Sequence, residues 1–311
     1  MVVTDSVVQN NISGEGGDLD YGNSGGHGGG IYNGGTLAIS GSSIRDNATG
    51  DGAYSHFGPY LNFGGAGGGI YNSGVLELAK STISGNTTGS GGADSGDMGS
   101  DGGDGGGIDN SGVLTVTDCT VSGNTTGDGS EGDRGNSGYG GGINNYQTLT
   151  LRNSTITYNT AGTIEVDGIG GGIYTRGVLT VTNTILAGNT DVSGSRDCYQ
   201  EEATLLSTGY NLVESEGTCA FTATGDLTGI VPVLGPLGDY GGDTLTHALL
   251  PGSPAIDQGS CRDSPTDQRG FLRPVDLAGI PNADDGCDIG AFEYLVFRIY
   301  LPLTVRHGLR W

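Results

Sequence analysis

The stretch Gly105 to Asn124, GGGIDNSGVLTVTDCTVSGN, holds one complete copy of a phrase that organises most of this chain. Its glycine triplet and isoleucine recur at Gly28 to Ile31, Gly67 to Ile70, Gly140 to Ile143 and Gly170 to Ile173. Each copy continues into a period-two apolar run that ends on asparagine: Asn47, Asn86, Asn124, Asn159 and Asn189. An incomplete copy, VTDSVVQNN, starts at Val3 and ends on Asn11. Repetition at about 30 to 40 residues signals a solenoid, in which each unit buries its apolar face only against its neighbours.

Within Val113-Leu114-Thr115-Val116, Leu114 and Val116 share one face and Thr115 takes the other, the pattern of a half-buried strand. Thr117-Asp118 turns a corner, Cys119 and Val121 point inward, and Gly123-Asn124 ends the second strand. Ile108 with Asn110 makes a third, closed by Ser111-Gly112. Three strands and three corners predict one turn of a right-handed parallel β-helix, an all-β solenoid.

Stacking the copies gives three aliphatic columns: Leu37, Leu76, Leu114, Leu149, Leu179; Ile39, Leu78, Val116, Leu151, Val181; and Ile44, Ile83, Val121, Ile156, Leu186. Ser6, Ser42, Ser81, Cys119, Ser154 and Thr184 form an inward column of small side chains, where a free cysteine is a small buried residue with no catalytic role. Asn11, Asn47, Asn86, Asn124, Asn159 and Asn189 are expected to form an amide ladder, because unpaired buried amides would cost about 1–3 kcal/mol each. Asn86-Thr87-Thr88 and Asn124-Thr125-Thr126 match a glycosylation sequon, but the ladder takes precedence. Outward, Ser43, Thr82, Thr120 and Thr155 make a threonine-rich face, with Ser84, Ser122 and Thr157 beside it. Such a face suits an ice-binding solenoid, a minor alternative, since threonine is also simply a good strand residue.

Of 311 residues, 65 are glycine, concentrated between the phrases, so ordered rungs are expected to alternate with loose loops. The loops run over 12–27, 48–66, 87–104, 125–139 and 160–170, all at one corner, where a rigid scaffold places binding residues. In the third, Asp94, Asp97, Asp101 and Asp104 are separated by glycines, and carboxylates so spaced can wrap Ca²⁺. No other cofactor is called for.

A formal charge of −23, with Lys80 the single lysine, argues against nucleic acid or an anionic membrane as partner. No run approaches the roughly 20 apolar residues of a membrane-spanning helix. Met1 leads directly into a repeat strand, so a secretory leader is expected upstream and the amino-terminal edge is expected to be open, leaving a monomer or end-to-end association. Cys198 with Cys219 and Cys261 with Cys287 flank short segments and read as two local disulfides of an exported protein, although spacing alone does not establish the connectivity. The chain divides into repeats over 1–190, a carboxy-terminal cap over 191–296 and a tail over 297–311. In the cap, Asp267, Arg269 and Asp288 are expected to form an ion-paired lock, and His247 to be a hydrogen-bonded packing residue.

The repeat phrase resembles those of bacterial secreted right-handed β-helix proteins and is similar to the GGAI and FxxN repeats of polymorphic outer-membrane proteins. In the cap, Gly209-Tyr210-Asn211-Leu212, Leu234-Gly235-Pro236-Leu237, Leu250-Pro251-Gly252-Ser253-Pro254-Ala255-Ile256-Asp257, Asp267-Gln268-Arg269-Gly270 and Cys287-Asp288-Ile289-Gly290-Ala291-Phe292-Glu293 follow in order. That series resembles the choice-of-anchor Q family of bacterial cell-surface proteins. The resemblance implies export and surface attachment, with no chemistry.

Parallel β-helices also host polysaccharide lyases and glycosidases, but fold alone does not give function. A glycosidase needs carboxylates about 5–10 Å apart. The outward strand positions offer only isolated Glu77, Lys80 and Arg152, and Gly26-His27-Gly28 is a fragment of the polygalacturonase motif series. The sequence therefore favours a non-catalytic surface scaffold or adhesin, its loops meeting glycan, protein or calcium. The alternative is a carbohydrate-active enzyme.

Overall fold

The computed structural model describes residues 1–17, 23–55, 61–93, 99–130, 135–162, 168–192, 194, 196–261 and 264–295. Among these, three parallel sheets run the length of the repeat region, and no helix is present that is long and apolar enough to cross a membrane. The first sheet is built from Val2–Thr4, Thr36–Ser40, Val75–Ala79, Val113–Thr117, Thr148–Arg152, Val178–Thr182 and Thr204–Ser207. The second contains Val7–Gln9, Ser43–Arg45, Thr82–Ser84, Thr120–Ser122, Thr155–Thr157, Ile185–Ala187, Leu212–Val213 and Leu227–Thr228. The third contains Ile31–Asn33, Ile70–Asn72, Ile108–Asn110, Ile143–Asn145, Ile173–Thr175 and Cys198–Gln200. Equivalent residues pair without a shift, as in Leu76, Leu114, Leu149 and Leu179. The sheets continue past residue 190 through Thr228, so the first part of the expected cap extends the solenoid.

The three aliphatic columns are buried and form one continuous core, with the third-sheet isoleucines Ile70, Ile108, Ile143 and Ile173 as its remaining wall. Two of the three corners carry one left-handed residue per coil. Asp5, Gly41, Lys80, Asp118, Asn153 and Asn183 do so between the first and second sheets. The glycine triplet has three separate causes, seen at Gly105 to Gly107. Gly105 has φ +64; a Cβ on Gly106 would meet the Gly141 carbonyl at 2.5 Å; one on Gly107 would meet the Asn124 amide at 3.0 Å.

The asparagine ladder is continuous. Each Nδ2 donates to the next Oδ1 at 2.8–2.9 Å from Asn11 to Asn189, and Asn189 ends it on the Asp197 carboxylate at 2.8 Å. The small-residue column is a second ladder: Ser81 N–H donates to Cys119 Sγ at 3.3 Å and Cys119 N–H to Ser154 Oγ at 3.2 Å. A third ladder, which the repeat pattern alone did not announce, links Asn33, Asn72, Asn110, Asn145 and the Thr175 hydroxyl.

Two expectations need correction. The glycine-rich insertions are not loose where they are described: the first four each leave the solenoid and return as two hydrogen-bonded plies. Gly65, Gly103 and Gly138 donate across the plies to Gly50, Gly89 and Gly127 at 2.9 Å, while Gly64 and Gly102 donate to the next coil at 3.0 and 2.9 Å. Thr49, Thr88 and Thr126, two residues beyond their ladder asparagines, stitch the plies to carbonyls of Gly65, Gly103 and Gly138. The sequon-like spacing therefore places two ladder residues, both buried. Glycine is required because backbones approach too closely for a side chain; a Cβ on Gly103 would lie 1.8 Å from the Gly65 carbonyl oxygen.

The threonine face is also not exposed. Residues 234–261 and 264–295 fold back along the second sheet and cover it, leaving Thr82, Thr120 and Thr155 buried. Thr120 Oγ1 donates to Gln268 Oε1 at 2.7 Å, Ala291 N–H to Thr155 Oγ1 at 3.2 Å, and Ser122 Oγ meets His247 Nε2 at 2.9 Å. An ice-binding face needs open hydroxyls, and these serve a protein interface. A strand hairpin, Leu234–Gly238 with Thr246–Leu249, and a second apolar cluster around Ile256, Ile289 and Phe292 hold the covering layer together. Both disulfides form, Cys198–Cys219 and Cys261–Cys287, and Cys119 is free and buried.

Candidate functional site

Two columns of side chains face each other along the third sheet. The strand residue after each isoleucine, and after Cys198 in the last strand, reads Tyr32, Tyr71, Asp109, Asn144, Tyr174 and Tyr199 in register. The residue before each glycine triplet, on the returning ply, reads His27, Ala66, Asp104, Tyr139 and Ile169. The two columns are linked with an offset of one coil. His27 stacks on Tyr71 with ring centres 4.9 Å apart, and Tyr139 stacks on Tyr174 at 4.8 Å. Between these aromatic closures the tyrosines are interrupted, and Ala66 and Asp104 face Asp109 and Asn144.

That interruption opens a cavity of about 470 Å³, with Phe63, Asp101, Asp104, Tyr139, Tyr146 and Arg176 among its lining. A second of about 380 Å³, lined by Arg176, Glu201 and Glu202, adjoins it over Arg176. With coils about 4.8 Å apart, the groove spans several rungs of the solenoid. Its mixture of aromatic faces, carboxylates and one guanidinium is the lining expected for a polar ring-containing ligand.

Asp104 organises the floor. Its Oδ1 accepts the Tyr139 N–H at 2.7 Å, and its Oδ2 accepts the Tyr146 hydroxyl at 2.9 Å and Asn144 Nδ2 at 3.3 Å. The same Asn144 Nδ2 donates to Asp109 Oδ1 at 2.7 Å, so two carboxylates meet on one amide nitrogen. Burial pushes the Asp104 carboxyl up to about 6, against the bonds from Tyr139 and Tyr146. Burial, reinforced by the Asp104 charge, pushes Asp109 up to about 8. Asn144 Oδ1 is buried with no hydrogen-bond partner. At the rim, Arg176 pairs with Glu201 at 2.9 Å, and the Tyr174 hydroxyl donates to the same carboxylate.

Of the acids expected to bind Ca²⁺, Asp94 and Asp97 lie outside the described residues. Asp101 and Asp104 accept backbone N–H groups of the next coil, from Asn136 and Tyr139 at 2.7 Å each. Among the described residues, the one trio within metal-ligand reach is Cys261, Asp285 and Cys287, whose sulfurs are joined in a disulfide. In the covering layer, Arg269 pairs with Asp267 at 2.6 Å and lies 3.5 Å over the Phe292 ring. Asp288 does not join that pair; it accepts the Asp257 N–H at 2.8 Å and the Tyr294 N–H at 2.5 Å. The tail over 297–311 lies outside the described residues.

Sequence reasoning did not contain the groove, because Asp109, Asn144, Tyr146 and Arg176 belong to no motif. Its signal was the break in the tyrosine column, visible once the copies are aligned in register.

The stacked sheets, ladders and flanking plies define a parallel β-helix solenoid. No family model, no curated protein and no solved structure matches the chain.

Proposed function

We propose that this protein is an exported bacterial surface scaffold that holds a glycan in the groove beside the third sheet, without cleaving it. The observation that carries this reading is the cavity lined by Phe63, Asp101, Asp104, Tyr139, Tyr146 and Arg176, set over Asp109 and Asn144 where the tyrosine column of the third sheet is interrupted. Aromatic walls receive the apolar faces of sugar rings, while Asp101, Asp104, Tyr146 and Arg176 offer hydrogen bonds to hydroxyls. The disulfides suit an oxidising exterior. The resemblance of the covering layer to the choice-of-anchor Q family supports surface attachment, and Ca²⁺ remains a proposed ligand of the acidic insertion.

One observation favours a carbohydrate-active enzyme instead: Asp104 and Asp109 are close carboxyls with raised proton affinities, as a glycosidase acid requires. Asp109, however, is 2% exposed and lies beneath the cavity rather than in its lining. Glycan-array binding combined with a polysaccharide depolymerisation screen separates the two. Binding without product supports the scaffold; product release that Asp104→Asn abolishes overturns it.

A further inference from the structure

The floor of the groove has more hydrogen-bond acceptors than donors. Asp101 and Asp104 bring two carboxyl groups to the lining, with Asp109 beneath it, yet among the described residues none of the three forms an ion pair. The side-chain donors that reach this floor are Tyr146 Oη and Asn144 Nδ2, and the latter is divided between two carboxyls. Asn144 Oδ1, 0% exposed, accepts nothing. Arg176, the one guanidinium in the lining, is engaged at the rim by Glu201 and acts on Asp104 only through space. The lining carboxylates Asp101 and Asp104 meet the backbone N–H groups of Asn136 and Tyr139 and the Tyr146 hydroxyl but pair with no cation, so a donor with positive charge is the group that answers them.

A bare divalent ion meets the charge but not the shape. The three acids do not bring ligand atoms within 4.8 Å of one another, and the space of about 470 Å³ is walled by Phe63 and Tyr139. Those walls suit a ring bearing the charge, which gains from aromatic faces as well as from carboxylates. A chain charge of −23 further favours a cationic over an anionic glycan.

Resting on the glycan reading, we propose that the notch takes the protonated primary amine of an amino-sugar unit, with Asp104 as its principal acceptor. The ammonium would sit against Asp104 and Asp101, with the sugar ring between the aromatic closures. An N-acetylated unit has no charge to offer and places a bulkier amide there.

The test compares a short β-1,4-linked glucosamine oligomer with its fully N-acetylated counterpart by isothermal titration at moderate salt. The expected result is at least tenfold tighter binding of the free amine. Asp104→Asn keeps the acceptor for Tyr139 N–H and removes the charge, and should collapse that preference to under threefold, its melting temperature being measured alongside because an amide nitrogen then faces the Tyr146 and Asn144 donors. Asp101→Asn is the second variant should D104N fold poorly, with a partial loss expected. Glu77→Gln, on the exposed face of the first sheet, must leave binding intact; an equal loss there means general attraction to an acidic protein and overturns the proposal. Equal affinity for both oligomers overturns the amine while leaving the glycan reading standing. Binding of neither oligomer, with array hits elsewhere absent, removes both readings. Competition by Ca²⁺ alone at the groove, lost in D104N, would assign the acids to a metal instead.

Discussion

The hydroxyl of Thr120 donates to the side-chain oxygen of Gln268 across 148 residues of chain, at 2.7 Å in a fully buried setting. Gln268 Nε2 meanwhile reaches Thr82 Oγ1 at 3.1 Å and Thr244 Oγ1 at 2.9 Å. One amide thus fastens the carboxy-terminal layer to two successive coils. Gln268→Ala removes these bonds, while Thr82, Thr120 and Thr244 keep those to the Leu245 carbonyl, the Thr246 hydroxyl and the Lys80 carbonyl, and should cost about 1–3 kcal/mol. Urea unfolding should show a lower midpoint, and proteolysis should release the covering layer first. An unchanged midpoint would mean that the apolar cluster around Ile256 and Phe292 alone holds the layer.

The ladder makes asparagine irreplaceable in mid-solenoid. Asn124 Oδ1 accepts both the Asn86 N–H and Asn86 Nδ2, at 3.0 and 2.9 Å, while its own Nδ2 donates to Asn159 and to the Ile83 carbonyl. Asn124→Ala removes all of these and opens a cavity, so a loss of about 3–5 kcal/mol is expected. Cys119→Ser should be nearly neutral, within about 1 kcal/mol, because serine occupies the same ladder position in the coils on either side. Thermal melts of the two variants check both outcomes.

The solenoid was legible because inward positions repeat: any column that is aliphatic in every copy must face the core. The Asn11 to Asn189 ladder followed from the same logic, since a repeated buried amide has to bond to itself. What escaped was aperiodic. The fold-back of residues 234–261 and 264–295 onto Thr82, Thr120 and Thr155 leaves no trace in the strands it covers, as threonine suits water and a polar interface equally. The groove escaped because Asp109 and Asn144 are departures from a column, and only register gives a departure meaning. The glycine plies differ from the loose loops expected because glycine marks either slack chain or backbones too close for side chains, and composition does not distinguish them.

Acid should stabilise this protein over a range where it weakens most. Burial holds Asp109 at about 8 and Asp197, at the end of the asparagine ladder, at about 6, both above the unfolded carboxyl value. A carboxyl raised on folding binds more protons folded than unfolded, so its stabilising contribution is complete below the unfolded value and is lost as pH rises through the folded one. The melting temperature should therefore climb as pH falls from 9 towards 5. Asp109→Asn, neutral at every pH, should reduce the slope between about 8 and 5, where the folded carboxyl keeps its proton and the unfolded one has lost it, leaving the part that Asp104, Asp197 and Asp288 contribute. A melting temperature that is level across the window in the parent protein would show that neither carboxyl is held above its ordinary range.

The two-ply insertions separate the two reasons for glycine by experiment. At Gly123 the backbone has φ +66 but nothing lies within 4 Å of an added methyl, so Gly123→Ala should cost about 1 kcal/mol of left-handed strain. At Gly89, with an ordinary φ, a Cβ would fall 2.0 Å from the Gly50 carbonyl oxygen of the coil below. Gly89→Ala must part the plies that Gly103 N–H and the Thr49 hydroxyl hold together, and should cost well over the about 1–3 kcal/mol of ordinary overpacking. Hydrogen exchange gives the sharper readout. Gly89→Ala should expose the amides of Gly91 and Gly103, whereas Gly123→Ala should leave them protected. If both variants melt alike and keep that protection, the insertions are slack after all, and the glycines there serve only freedom of the chain.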